Sequence, residues 1–464
     1  MRTALLFFLF LGMVPAALAN NITVTNTSLS GQNTTSDFTL INFDVAWENS
    51  WRTSTNESNY DGAWIFVKFR KNGTTDWRHC TINATGHANG AGSTFFIPSD
   101  GKGAFIYRNA DGIGNVSFTG NQLRWNYGAD GLLDNETVEI RVFALEMVYI
   151  PQGSFYLGSG GVEAYAFTDG SSTNPYFVAN NNAITVGTSS GNLNAATYLA
   201  AGTIPASFPK GYDAFWIMKY ETSQQQYVDF LNHIDFARAN VNNTPGLFTG
   251  AHPALIAPQP ERACNNLGFL RTAAHADWCG LRPMTELEFE KACRGYNTPA
   301  VPNEYAWGNT TLTPLTAVNN GGAANESVLA PTNANANINS SINVATRVGI
   351  FARPSGSTRT LSGGTYYGVM NMSDNMAENT VTAGTTQGRA FDAAVHGDGY
   401  LAADGNSNIP AWIDYRAYGR RGSGYNGSTD WARVSDRFLA NFYSSYPSDV
   451  TVSGVAFRLV RTAQ

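Results

Sequence analysis

Between Asn20 and about Leu145, apolar and polar side chains alternate in short runs. The stretches "FTLINFDVAWE", "AWIFVKFRK", "STFFIPSD", "GAFIYRNA", "VSFTGNQLRWNYG" and "VEIRVFAL" each carry one apolar face, and Gly, Asn and Asp separate them. A two-residue period marks a half-buried strand, and several such runs between turn signals predict a β-sandwich over residues 20–145. Phe43, Trp47, Trp64, Phe66, Phe105, Tyr107, Trp125 and Tyr127 are assigned to its core and rim rather than to a sugar-stacking platform.

The texture changes at Glu146, where "EMVYIPQGSFYLGSG" runs from an apolar strand into a glycine-rich turn. In "FWIMKYETSQQQYVDFLNHI", Tyr227, Phe230, Leu231 and Ile234 recur at helical spacing, with Thr222 or Ser223 as the N-cap. In "LRPMTELEFEKACRG", Thr285 and Glu288 form a capping box, and Gly295 is the expected C-terminal cap. Long loops follow, including the Asn/Ala-rich "TNANANINSSIN", before a closing strand "GVAFRLVRT". Residues 146–464 therefore read as a loop-rich α+β domain behind the all-β one.

Ahead of both lies Arg2, followed by "ALLFFLFLGMVPAALA" and a small-x-small pattern at Ala17-Leu18-Ala19. This predicts a secretory leader over residues 1–19 and a secreted or cell-surface protein. No later run reaches membrane-spanning length. Charged residues make up 14% and the net charge is −6, so neither nucleic acid nor an anionic membrane is expected as partner. N-x-S/T sequons from Asn21 to Asn426 give glycan opportunity. Cys264 and Cys279 flank a short segment that a disulfide could close in an oxidising compartment. Cys293, inside a helical pattern, reads as a buried thiol. Neither CxxC nor a Cys/His zinc spacing occurs, and the six histidines form no HxxxH pair. Asp392, His396 and Asp398 read as a solvated turn.

Taken in order, "MVYIPQGSFYLGS", "FWIMKYETSQQQYVDFL", "LRPMTELEFEKACRG", "YAWGN", "YGVMNMSDNMAEN", "RRGSGY" and "GVAFRLVR" resemble the signatures of the formylglycine-generating enzyme (sulfatase-modifying factor) family. The likeness spans about Met147 to Arg461. It implies a C-type-lectin-like fold with little regular structure and bound calcium. In "NMSDNMAEN" it puts Asn371 and Glu378 on the side-chain ligands and the carbonyls of Asp374 and Met376 on the backbone ligands, and it counts Asn375, at the family's asparagine, with the metal residues. Hard oxygens in a tight loop are what calcium requires. The alternative is a polar turn whose side chains cap their own backbone. The resemblance puts a second metal site at Asn319 and Asn320, near residues 340–342, without its acidic ligand.

The family's oxidases bind copper through two cysteines with four residues between them. Counted back from "AFR", those positions fall on Ser435 and Ala440. Neither can replace a soft thiolate on copper(I). The family's sulfoxide synthases use a histidine-rich helical bundle, which this sequence lacks. The expectation is a binding or structural protein without oxidase activity, whose partner is a protein, a glycan or another copy of the chain. Its expected contact face comprises Arg421, Tyr425, Trp431, Arg433, Ser435, Asp436, Phe442 and Tyr443. The competing expectations are a family enzyme with a non-cysteine site, marked by a polar pocket near Arg433, Ser435 and Asp436, and a subunit of an extracellular filament or coat.

Overall fold

A computed structural model describes residues 22–296, 298–353, 357–445 and 449–463. The leader expected over residues 1–19 lies outside the described residues.

The N-terminal part contains β1 (Thr23–Asn33), β2 (Phe38–Arg52), β3 (Tyr60–Lys71), β4 (Arg78–His79), β5 (Ser93–Phe96), β6 (Ala104–Arg108), β7 (Gly112–Trp125) and β8 (Val138–Ile150). β2 lies between β1 and β7, while β3 lies between β8 and β6, all antiparallel. The strict alternation of β2 sends Ile41, Phe43, Val45 and Trp47 into a core shared with Ala63, Ile65, Val67 and Phe69 of β3. Of the eight aromatics assigned to core and rim, seven are buried and Tyr107 is half-buried.

β3 departs from the expected single apolar face, because residues 61–69 are buried throughout. Its second face, Trp64 and Phe66, packs on the other half of the molecule. Trp64 Nε1 donates to Cys279 O at 2.8 Å, and Phe66 meets Trp278 edge-on. Each such buried aromatic contributes roughly 1.5–3 kcal/mol.

β8 joins the halves. Residues 138–149 pair with β3, and residues 147–150 continue onto the Phe215–Met218 strand. The sheet then extends through Leu459–Thr462 to Arg282–Pro283. The boundary expected at residues 145/146 thus falls inside one strand of a continuous sheet.

Helix α1 (Gln224–Asn232) starts at a capping box made by Ser223 and Gln226. Two helices absent from the sequence expectation follow, α2 (Phe236–Asn242) and α3 (Phe269–Trp278). Eight of the ten α3 residues are buried, so it lacks the polar stripe that marks a surface helix. α4 (Glu286–Arg294) has the expected Thr285/Glu288 capping box and Gly295 cap, with φ 89° at the glycine. All nine α4 residues are buried, its charged ones included.

All four cysteines are buried and free, so no disulfide closes the segment between Cys264 and Cys279, and Cys293 is a buried thiol as its helical pattern indicates. Among the described residues no helix is long and apolar enough to cross a membrane.

Candidate functional site

The 371–378 loop lies in the interior, with Asn371, Asp374, Asn375, Met376 and Glu378 all buried. Asn371 and Asn375 hold positive φ angles of 58° and 67°, the left-handed region that asparagine tolerates better than other side-chain-bearing residues. Asn371 Nδ2 donates to both oxygens of Asp374 at 3.3 Å, and its Oδ1 accepts from Gly349 N at 3.0 Å. Asp374 Oδ2 also accepts from Asn337 N at 2.6 Å.

Asn375 has a different role from the other loop oxygens. Its Oδ1 accepts from Asn337 Nδ2, Thr346 N and Thr346 Oγ1, while its Nδ2 donates to Glu221 Oε2 at 2.7 Å. An amide oxygen has two lone pairs, so three donors saturate it. Asn375 therefore ties the loop to residues 337–346 and is corrected from metal ligand to scaffold.

Glu378 Oε1 accepts from Arg458 Nε at 2.7 Å and pairs with its terminal nitrogen at 2.5 Å. Glu378 Oε2 and Glu221 Oε1 are buried without a donor. Burial pushes the Asp374 carboxyl up to about 7 and the Glu221 carboxyl well above its usual range, although Arg458 opposes both shifts. Three carboxylates, Glu221, Asp374 and Glu378, thus gather around a single guanidinium. This chemistry fits a divalent cation: Glu378 Oε2 is uncommitted, and Asn371 Oδ1 keeps a second lone pair beyond its bond to Gly349. Among the described residues, no three His, Cys, Asp or Glu side chains converge into a chelating cluster. The expected set instead draws mainly on amide and carbonyl oxygens.

Asn319 and Asn320 are exposed at the end of the Ala317–Asn319 strand and in the turn that follows it. Ser340, in the other segment assigned to that second site, is buried and donates its hydroxyl to Asn337.

The positions matched to the copper cysteines lie against the Tyr418–Arg421 strand. Arg421 donates to Val434 O, and Arg420 N to Leu439 O. Ser435 and Ala440 are both fully buried. Ser435 Oγ accepts from an Arg294 terminal nitrogen at 2.7 Å, at one end of a chain of buried ion pairs. Arg294 bonds Glu290 at 2.7 Å and also Glu304. Glu290 accepts from Arg421 at 2.6 Å, and Arg421 and Arg437 share Glu286 at 3.0 and 2.8 Å. Burial alone would raise the Glu286 and Glu290 carboxyls. The adjacent guanidiniums outweigh it and hold both below their usual range.

This arrangement corrects the expected contact face. Arg421, Tyr425, Ser435, Asp436 and Tyr443 are buried, and only Trp431, Arg433 and Phe442 are partly exposed. Arg421 turns inward to pair with two buried α4 carboxylates, Glu286 and Glu290, whose burial needs positive charge beside it. Tyr443 turns inward to donate to Asn379 Oδ1 at 2.9 Å. A cleft of about 250 Å³ lined by Glu163, Tyr165, Thr168 and Asn194 adjoins this region, with Tyr165 stacked on Phe438. The 392–398 turn is not simply solvated, since His396 Nε2 accepts from Thr462 N at 3.1 Å.

A larger groove of about 480 Å³ runs beside β1, between Leu29 and Thr39 on one side and residues 132–138 on the other. Leu133 is 68% exposed at its rim, and Trp125 and Tyr127 line it. Nothing along the chain marks this groove, because β1 and the 132–138 turn are mostly polar.

Residues 139–463, more than half of the chain, match the sulfatase-modifying factor enzyme 1-like domain. The chain belongs to that family. No curated protein matches it. The family domain starts at the second residue of β8, so the strand shared with the N-terminal sheet is its first element. Within this member, the buried Arg294 donates to Ser435, the position that the sequence resemblance matched to the first copper cysteine.

Proposed function

We propose that this chain is a secreted or cell-surface binding or structural protein that uses the sulfatase-modifying factor scaffold without oxidase chemistry. The reading rests on one observation. Ser435, where the family resemblance places the first copper thiolate, accepts a hydrogen bond from the Arg294 guanidinium and lies fully buried, while Ala440 offers no donor. A fixed positive charge opposes a metal cation at that point, and no soft ligand replaces the missing thiolate.

Calcium in the 371–378 loop acts as a structural ion, held by Glu378, Asn371 and the carbonyls of Asp374 and Met376. Its charge offsets the carboxylates that Arg458 alone leaves uncompensated. The N-terminal strands form a β-sandwich, and the groove beside β1 takes over the contact role first expected of the C-terminal segment. Its exposed Leu29 and Leu133 above aromatic walls suit a protein or glycan partner.

Native mass measurement and negative-stain imaging of protein purified from its own source test this reading. A co-purifying partner or a polymer that Leu133→Asp abolishes is the expected result. A partner-free monomer that converts a metabolite or peptide through the Glu163 cleft would contradict it.

A further inference from the structure

Three adjacent strands bring together a lysine, an aspartate and a glutamate beneath the N-terminal core. Asp61 is the second residue of β3, Glu146 lies on β8 opposite Ala63, and Lys219 directly follows the Phe215–Met218 strand. In antiparallel pairing, directly opposed residues share a face, so Asp61, Ala63 and Glu146 point to the same side. The Lys219 N–H bonds Glu146 O at 2.9 Å and continues this register. Lys219 Nζ stands 3.1 Å from Asp61 Oδ2 and 3.1 Å from Glu146 Oε2. Side-chain exposure is 4% for Lys219, 0% for Asp61 and 2% for Glu146.

The Asp61 carboxylate is held asymmetrically. Its Oδ1 accepts from Ser50 Oγ at 2.7 Å and Trp51 N at 3.0 Å, whereas Oδ2 accepts from Trp47 Nε1 at 3.0 Å and faces Lys219. Two fixed donors thus converge on one oxygen, as they would for an oxyanion, and the other oxygen lies beside an amine. The lysine is walled by Trp51 and Tyr220, with its nitrogen 5.0 and 5.5 Å from the ring centroids. Glu146 Oε1 is buried with no partner.

We infer that Lys219 and Asp61 condense into an intramolecular isopeptide bond, with Glu146 moving the protons. A proton passes from Nζ to Asp61 Oδ2, and the freed amine bonds to Asp61 Cγ. Oδ1 carries the developing negative charge against Ser50 and Trp51. Glu146 Oε2 takes a second proton from nitrogen, and Glu146 returns one to the departing Oδ2, which leaves as water. One ammonium and one carboxylate become one amide and one water, and Glu146 ends as it began. No oxidant or other reagent is needed.

The ionisation of the cluster suits this sequence. Burial, opposed by Lys219 and reinforced by Asp61 and Glu48, raises the Glu146 carboxyl to about 7, so a proton is available there near neutrality. Burial alone would discharge Lys219, but Tyr220, Glu146 and Asp61 hold it charged, so the first proton transfer is the step that starts the reaction. The product replaces a buried ion pair by a neutral amide, which removes a desolvation penalty. Fixed reacting groups make the condensation unimolecular, with the large rate advantage that follows. The bond would tie β3 to the strand that leads into α1, clamping the N-terminal sheet onto the family domain.

Peptide mapping by tandem mass spectrometry of the full chain tests the assignment. The expected product is a branched peptide joining the segments around Asp61 and Lys219, lighter than their sum by one water. Glu146→Gln and Lys219→Arg are expected to abolish it and yield two linear peptides. Unmodified linear peptides from the wild-type chain, or a Lys219 amine that acylates after unfolding, would overturn the proposal. So would a water loss confined to one peptide, which would indicate a cyclic imide at an aspartate instead. The wild-type result decides the matter even where a variant fails to fold.

Discussion

Arg294 donates to Ser435 Oγ at 2.7 Å while also bonding Glu290 and Glu304. The serine is therefore the least important of the three partners for the guanidinium, and the two carboxylates are the ones that justify its burial. Ser435→Ala is expected to cost about 1 kcal/mol, the loss of one hydrogen bond. Arg294→Met leaves Glu290 and Glu304 buried with less positive charge and is expected to cost about 3–5 kcal/mol. Urea unfolding of the two variants checks both figures.

The calcium reading predicts a melting temperature that falls when a chelator is added, because the ion binds the folded chain alone. At free calcium about 100 times the dissociation constant, the stabilisation is about 2.7 kcal/mol. Glu378→Gln is expected to lower stability and to remove the difference between calcium and chelator. An equal melting temperature for the wild-type chain in both conditions would dispose of the ion.

Because β3 is buried on both faces and β8 runs through both halves, the N-terminal sheet is not an independent folding unit. Calorimetry is expected to show one cooperative transition. Trp64→Ala removes the ring packed across the junction and its bond to Cys279 O, and should lower that single transition by about 3–5 kcal/mol. Two separated transitions would contradict the shared-sheet account.

Asp229, on α1, has a carboxyl that burial raises to about 6, with a hydrogen bond from Gln225 opposing. A carboxyl whose folded value lies above its unfolded value destabilises the fold as pH rises through that interval. At pH below 4 the wild-type chain and Asp229→Asn should melt alike. Between pH 4 and 6 the wild-type chain loses ground, and above 6 the variant should be the more stable, by roughly 1–2 kcal/mol. Melting the pair across this range cancels the opposite effect of buried histidines such as His275, whose ring burial holds at about 3.

The sequence showed what local chemistry dictates. The Thr285/Glu288 box and Gly295 announce α4, the alternation of β2 announces a half-buried strand, and seven ordered blocks announce the family domain. It did not show what depends on distant partners. Nothing in "TVTNTSLSGQN" marks β1, whose exposed side chains carry no apolar period. α3 escaped notice because burial on nearly every side erases the helical stripe. The C-terminal arginines and tyrosines looked like a contact face because their composition suits one. Only the fold reveals that Arg421 and Arg437 answer glutamates some 130 to 150 residues earlier. Asn375 likewise shares the loop with Asn371, yet only its three donors distinguish scaffold from ligand.

The measurement that bears most directly on the central claim is mass spectrometry of a cysteine-containing peptide after incubation with the copper(I)-treated full chain and oxygen. With Ser435 under Arg294 and Ala440 offering no thiolate, the account predicts that the peptide cysteine stays unchanged and that the chain retains no copper after desalting. Conversion of that cysteine to formylglycine would contradict it.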